Sequence, residues 1–350
     1  MRIAQIAPLH EAVPPKLYGG TERVVSFLTE ELVALGHDVT LFASGDSVTS
    51  ATLEAIWPRA LRLDPGIRDN MAPQMLLLEH VYQMAAQFDV LHFHMDYLPC
   101  SLFSRQAVPF LTTLHGRLDL PELKPVYDGL PVQNCVSISN SQRIPLPEAN
   151  FIATVPHGLP EYLLEPVPVT PSYVAFLGRI CPEKRPDRAI RIARAAGETL
   201  RLAAKVDKVD DAYFNSEIQP MLGPDAVLIG EIDDAAKSAF LSGAKALLMP
   251  INWPEPFGLV MIEAMACGTP VIAYNHGSVP EVIEHGVTGF IVSNEDEAAA
   301  ALRQIHTLDR ALIRRRFEAR FTARRMALEY VDIYEALSVP LQRQLHLVQG

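Results

Sequence analysis

Short apolar runs of strand length alternate with longer amphipathic stretches along almost the whole chain. The first run, Arg2 to Ala7, predicts a strand. The stretch after it predicts a helix over Glu22 to Leu35, capped by Thr21 and stopped by Gly36. Further strands are expected at Asp38 to Ala43, Val90 to Phe93, Pro109 to Leu114, Asn134 to Ser139 and Phe151 to Val155, with an apolar helical segment at Met75 to Phe88. A second series begins at Tyr173. Its strands are Tyr173 to Leu177, Leu200 to Ala204, Val227 to Ile229, Ala246 to Met249, Pro270 to Tyr274 and Gly289 to Val292. The helices between them are Arg185 to Ala196, Asp210 to Met221, Asp233 to Ser242, Gly258 to Cys267, Val279 to Glu284 and Glu295 to His306. Runs this uniformly apolar, separated by helices, predict an α/β protein with parallel sheets covered on both faces. The tail from Arg310 to Leu347 reads as helix, with a break near Pro340.

Pro156 to Pro171 is rich in proline and belongs to neither series, so the domain boundary is expected there. This divides the chain into a Rossmann-like, doubly wound domain over 1–160, a linker over 161–171 and a second such domain over 172–325. At 350 residues, 49% apolar and 20% charged, the chain can build two ordinary cores. A net charge of −11 argues against nucleic acid as a partner. No run has the length of a membrane span, and MRIAQIAP is too short for a signal peptide. Cys100, Cys135, Cys181 and Cys267 are scattered without metal or disulfide spacing, which makes the cytoplasm the expected location. Eight arginines lie between Arg303 and Arg325, opposed by Asp309 and Glu318. A solvated helix face with some packing against the other domain is favoured there over peripheral contact with an anionic membrane.

The richest stretch chemically is Ala246 to Gly268, a strand, a proline-broken loop and a helix. That helix is apolar on nearly every side yet carries Glu263, and Glu255 sits in the loop before it. A buried charge is costly alone, so Glu263 needs a fixed partner or a polar crevice. Arg179 and Lys184 share the loop after the Tyr173 strand and suit a diphosphate, the guanidinium through bidentate bonds and the ammonium as a point charge. The competing use of Arg179 is an ion pair with Glu183. In open parallel sheets ligands bind beyond the carboxyl ends of strands. Gly19-Gly20, His94, His115, Arg179, Lys205, Gly230-Glu231 and Glu255 each follow a predicted strand. If the two sheets face each other, these residues share one cleft. His92, His94 and Asp96 alternate and so share a face, where a role for His94 or Asp96 beside an acceptor is favoured over a metal site. His115, just past a strand with Gly116 beside it, is expected to be exposed to the cleft rather than packed. The Gly19-Gly20 pair lets backbone approach a ligand at a helix start and is not the dinucleotide fingerprint.

The run E-P-F-G-L-V-M-I-E, with seven residues between Glu255 and Glu263, resembles the signature of the family 4 retaining glycosyltransferases, which have the GT-B fold. Gly178-Arg179 with Glu183-Lys184, Gly19-Gly20-Thr21-Glu22, and Gly268-Thr269-Pro270 with Val279-Pro280-Glu281 extend the likeness over most of the chain. The resemblance implies a nucleotide-diphosphate sugar as substrate, with no cofactor and no metal. It places the acceptor side in the first domain and the donor side in the second, with the last helix, 326–350, crossing back to the first. Glu255 would contact the donor hexose hydroxyls, Glu263 the ribose hydroxyls, and Arg179 and Lys184 the leaving diphosphate. Gly20 would border that diphosphate, and backbone groups at Phe257, Gly258 and Leu259 would take sugar hydroxyls and phosphate. The base would lie near Ile229 to Glu231, including Gly230, and His115 would lie close to the transferred sugar. The chain departs from the pattern at Ile251-Asn252-Trp253, at Ala204-Lys205-Val206-Asp207 and at His276-Gly277, which bear on donor choice. UDP-glucose is the preferred donor, and a saccharide, a lipid-linked sugar or a small metabolite the acceptor. A nucleotide-sugar epimerase and a non-catalytic sugar-nucleotide-binding protein are the alternatives.

Overall fold

The computed structural model describes residues 1–16, 19–130 and 133–338. The chain forms two compact units, Met1–Gly158 with the C-terminal segment from Ala323, and Leu159–Thr322. The first holds strands β1 (Arg2–Ile6), β2 (Asp38–Ser44), β3 (Thr52–Trp57), β4 (Val90–Phe93), β5 (Phe110–Thr113), β6 (Cys135–Ser137) and β7 (Phe151–Thr154). They pair in parallel in the order β3-β2-β1-β4-β5-β6-β7. The second holds β8 (Tyr173–Arg179), β9 (Leu200–Lys205), β10 (Ala226–Gly230), β11 (Ala244–Met249), β12 (Val271–Tyr274) and β13 (Gly289–Val292), parallel in the order β10-β9-β8-β11-β12-β13.

The apolar runs are buried because helices cover both faces of each sheet: every residue of β4, β5 and β12 is buried. Ile6, Phe42, Phe93 and Phe103 pack in one core, and Val174, Phe176, Leu202, Leu248 and Ile272 in the other. Each sheet reverses its strand order once, between β1 and β4 in the first and between β8 and β11 in the second. At such a reversal the connecting helices leave to opposite faces and a crevice opens at the strand ends.

Several elements differ from expectation, each for a local reason. Gly19, not Thr21, caps the helix Gly20–Ala34. A Cβ at Gly19 would lie 2.9 Å from Pro15 Cβ and 3.2 Å from Glu11 Cγ, so the glycine serves close packing. Strand β3 was not expected; it lies at a sheet edge, and its half-exposed TLEAIW lacks a continuous apolar run. The segment expected as a helix over Asp210 to Met221 is a chain of short turns, α over Asp211–Tyr213, π over Phe214–Ile218 and 3-10 over Gln219–Met221. Pro220 lacks the N–H that a regular ladder needs there. The tail breaks at Phe321-Thr322, between helices Arg310–Arg320 and Ala323–Ser338. There the Phe321 carbonyl accepts from Leu159 N–H at 2.9 Å instead of continuing a helix. The break expected near Pro340, and the chain on to Leu347, lie outside the described residues.

Candidate active site

The reversal in the second sheet brings the loop after β8 beside the loop after β11. Arg185 adopts a left-handed conformation, φ 53°, just before the helix Pro186–Ala196, whose first residue is a proline suited to that position. Its guanidinium forks onto Asp187 at 2.8 and 2.7 Å, and Asp187 also accepts from Tyr213 at 2.9 Å and Arg191 at 2.9 Å. Burial opposes ionisation of Asp187, but Arg185, Tyr213 and Arg191 together hold it well below the usual carboxylate range. This anchor fixes the far end of the loop, and Lys184 projects from the near end onto Glu255 Oε2. Trp253 Nε1–H donates to the same oxygen at 3.1 Å, and the Lys184 ammonium sits 5.1 Å from the Trp253 ring centroid. Asn252 N–H donates to Glu183 O at 2.9 Å and ties the two loops together. The Ile251-Asn252-Trp253 departure thus supplies a second donor to Glu255.

Glu255, 7% exposed, is also held from behind. Gly277, φ 59°, lies so close that a Cβ there would fall 2.3 Å from both Glu255 N and Glu255 O. Its neighbour Ser278 donates N–H to Glu255 O at 2.9 Å and Oγ–H to Phe257 O at 2.7 Å. Gly258, φ 79°, precedes the helix Leu259–Ala266. Glu263 on that helix is buried, and Lys237 from the helix Asp234–Ser242 donates to its Oε1 at 2.7 Å. Its buried charge therefore has a fixed cation.

Arg179 lies 3.7 Å from Asp207 and 3.7 Å from Asp210, at ion-pair rather than hydrogen-bond distance. These two carboxylates follow β9. Lys205 pairs with Asp207 at 3.0 Å. Gly230, φ 82°, ends β10 and the exposed Glu231 follows it, at the sheet edge and two strands from β8.

In the first unit, His94 follows β4 at that sheet's reversal and is buried. His94 Nδ1 lies 2.8 Å from His115 Nε2, and the His115 ring stacks on His157 at 5.2 Å. His115 is therefore packed between two imidazoles and half-buried, not free as expected; its Nδ1 has no hydrogen-bond partner among the described residues. Asp96 is exposed, adopts φ 49° and accepts the His115 backbone N–H. His92 is fully buried, 2.7 Å from Thr113 Oγ1 and 2.6 Å from Tyr334 Oη. Among the described residues no group of three His, Cys, Asp or Glu is arranged to hold a metal ion. Gly20 opens its helix on the surface.

Burial pushes the imidazoles of His92, His94 and His157 well below their ordinary 6.5. As pH falls below 6.5 the unfolded chain takes up these protons and the folded chain does not, so their stabilisation is full above that value and is lost below it. Denaturant midpoints should fall between pH 7 and pH 5, each histidine contributing roughly 1.4 kcal/mol per pH unit once well below 6.5. A flat profile over that window would contradict the buried neutral state.

Half of the arginine cluster is committed to internal carbonyls. Arg310 donates to Ala244 O and Ser242 O, Arg314 to Leu164 O, Ala266 O and Glu161 O, Arg320 to Glu281 O and Arg325 to Pro156 O. No helix among the described residues is long and apolar enough to cross a membrane.

Sequence reasoning missed Gln5, Lys237 and the tyrosine pair Tyr330 and Tyr334, and named Gly277 only as a departure bearing on donor choice. Gln5, a lone polar residue inside an apolar run, was a usable signal. The others become visible only once strands and helices are assembled.

Residues 18–187 match Glycosyltransferase Family 4, and residues 165–320 match Glycosyl transferases group 1. The chain is 26% identical over 345 residues to phosphatidyl-myo-inositol mannosyltransferase from Mycobacterium leprae (strain TN), covering 91% of this chain and 90% of that protein. It is 32% identical over 172 residues to a 41.2 kDa protein of the cps region of Klebsiella pneumoniae, a match that spans 47% of this chain and just under half, 46%, of that protein. Among solved structures, HepE of Anabaena in complex with UDP-glucose shares the fold, with TM-score 0.72, 17% identity, and coverage of 96% of this chain and 100% of that one. The two parallel α/β units and these matches along the chain carry one conclusion: it belongs to the group 1, family 4 glycosyltransferases and is a glycosyltransferase of the GT-B fold.

Proposed function

We propose that the protein transfers a hexose, with retention of anomeric configuration, from a nucleotide-diphosphate sugar to an acceptor hydroxyl, and that UDP-glucose is the donor. The observation that carries this reading is the Lys184–Glu255 pair, a cation and a carboxylate held together at the strand-order reversal of the second sheet. In this reading Lys184 and Arg179 neutralise the charge growing on the leaving diphosphate, each charged hydrogen bond contributing roughly 1.5–3 kcal/mol. Glu255 faces the hexose hydroxyls and the carbon that becomes oxocarbenium-like. Glu263 keeps Oε1 on Lys237 and offers its other oxygen to the ribose. Backbone groups at Phe257, Gly258 and Leu259 take sugar and phosphate oxygens, Gly20 approaches the diphosphate, and Gly230-Glu231 flank the base. His115, His94 and Asp96 serve substrate hydroxyls on the first unit, where the acceptor side is assigned. The donor is consumed as a substrate, and the reading invokes no cofactor or metal. HepE, solved with UDP-glucose, supports the choice of donor to probe first. The acceptor is a saccharide, a lipid-linked sugar or a small metabolite.

A thermal-shift panel of UDP-, GDP- and ADP-sugars tests the donor. A ligand at a hundred times its Kd stabilises by about 2.7 kcal/mol, and UDP-glucose should give the largest rise in Tm. Transfer should then release UDP only with an acceptor present and give a product with the same anomeric configuration as the donor. No shift with any nucleotide sugar would refute the reading, and isomerisation of the sugar without acceptor would point to an epimerase.

A further inference from the structure

The Lys184–Glu255 pair has a third member, Trp253, and the two donors to Glu255 do different things. Trp253 Nε1–H and the Lys184 ammonium both meet Glu255 Oε2. The other oxygen, Oε1, accepts no hydrogen bond among the described residues and is not closed off from solvent. One side of the carboxylate is therefore held and the other is open. Lys184 reaches over from the loop after β8 on a long flexible stem, and it is the group that the proposed reading turns toward the diphosphate. An ammonium drawn to a phosphate holds Glu255 less well. Trp253 lies on the same loop as Glu255, two residues before it. The ring of Pro254 fixes the φ between them, and Glu255 N–H donates to Trp253 O at 2.9 Å. The indole bond, 3.1 Å long, closes a second ring over the same three residues. This hold is local, costs little entropy and does not need Lys184. The face of the indole, 5.1 Å from the ammonium, is where Lys184 rests before a donor arrives.

We infer that Trp253 is a positioning residue: its indole N–H keeps one oxygen of Glu255 in place when Lys184 turns to the donor diphosphate, so that the other oxygen meets the donor sugar in one orientation. Trp253 touches no reacting atom. The sugar contact rests on the proposed placing of the donor at Lys184 and Glu255; the indole hydrogen bond does not.

Trp253→Phe keeps a ring beside Lys184 and deletes the N–H. Titration calorimetry with UDP and with UDP-glucose, or with the nucleotide and nucleotide sugar that the donor panel selects, separates the diphosphate from the sugar and needs no acceptor. The Kd for UDP should stay within about twofold, and that for UDP-glucose should rise about tenfold, the worth of one charged hydrogen bond. A tryptophan of merely structural value would weaken both ligands alike or neither, and either result would overturn the inference. If no nucleotide binds the wild-type chain, it is the transferase reading that fails. The hydrogen bond itself is read without ligand. The chain has two tryptophans, so in Trp57→Phe, labelled with 15N-tryptophan, a single indole peak remains. That proton should exchange slowly with water at neutral pH, and its peak should move when Glu255→Gln is added. A freely exchanging proton that ignores Glu255→Gln would overturn the inference even if Trp253→Phe does not fold.

Discussion

Glu255→Gln should lower the turnover of the nucleotide sugar at least about a hundredfold while leaving the protein folded, because the change removes a charge and little else. The glutamine Oε1 can still accept from Trp253 Nε1–H and from Lys184, the two donors that hold the native carboxylate. What is lost is the negative charge that the proposed reading sets against the sugar. Lys184→Ala is expected to remove a similar amount of activity, with a different stability signature. Glu255 would remain largely buried without its cation, and because Lys184 is itself partly exposed the penalty should be roughly 1–3 kcal/mol rather than the full cost of a deeply buried pair. Steady-state turnover and denaturant midpoints for the two variants separate these effects. Near-native turnover in either variant would remove the pair from the chemistry.

Much of this arrangement was legible in the chain. The apolar runs marked the strands because a sheet covered on both faces leaves no polar alternation to confuse with helix, as in β4, β5 and β12. The edge strand β3 escaped because a half-exposed strand keeps residues such as Glu54 in the run. Arg179, Lys184 and Glu255 could be named because each follows a strand. That Lys184 meets Glu255, 71 residues on, needed the strand order, since only the β8–β11 adjacency brings their loops together. Lys237 was invisible as the partner of Glu263, because a lysine on an amphipathic helix reads as solvated until the neighbouring helix is packed beside it. The arginine cluster misled in the same way. A dense run of cations suggests a surface, yet Arg310 and Arg314 reach inward to carbonyls. His115 looked exposed because its neighbour is a glycine, and only the fold brings His94 and His157 against it.

Gly277→Ala should lower turnover by roughly ten- to a hundredfold although residue 277 need not touch substrate. The methyl group has no room: it would fall 2.3 Å from Glu255 N and Glu255 O, both backbone atoms that cannot swing aside. The turn must move off the Glu255 backbone, and the Ser278 bonds to Glu255 O and Phe257 O must lengthen or break. Both the carboxylate and the backbone leading into the helix Leu259–Ala266 shift as a result. Strain of this kind also costs stability, about 1–3 kcal/mol, so loss of activity alone would be ambiguous. Gly286 supplies the control: it has a similar left-handed φ of 77°, but nothing lies within 4 Å of its hypothetical Cβ. Gly286→Ala therefore carries backbone strain without collision, and should cost about 1 kcal/mol of stability and little activity. If the two alanine variants lose activity equally, the clamp on Glu255 is not what Gly277 provides; if only Gly277→Ala loses it, the placement of Glu255 to a fraction of an ångström is what turnover depends on.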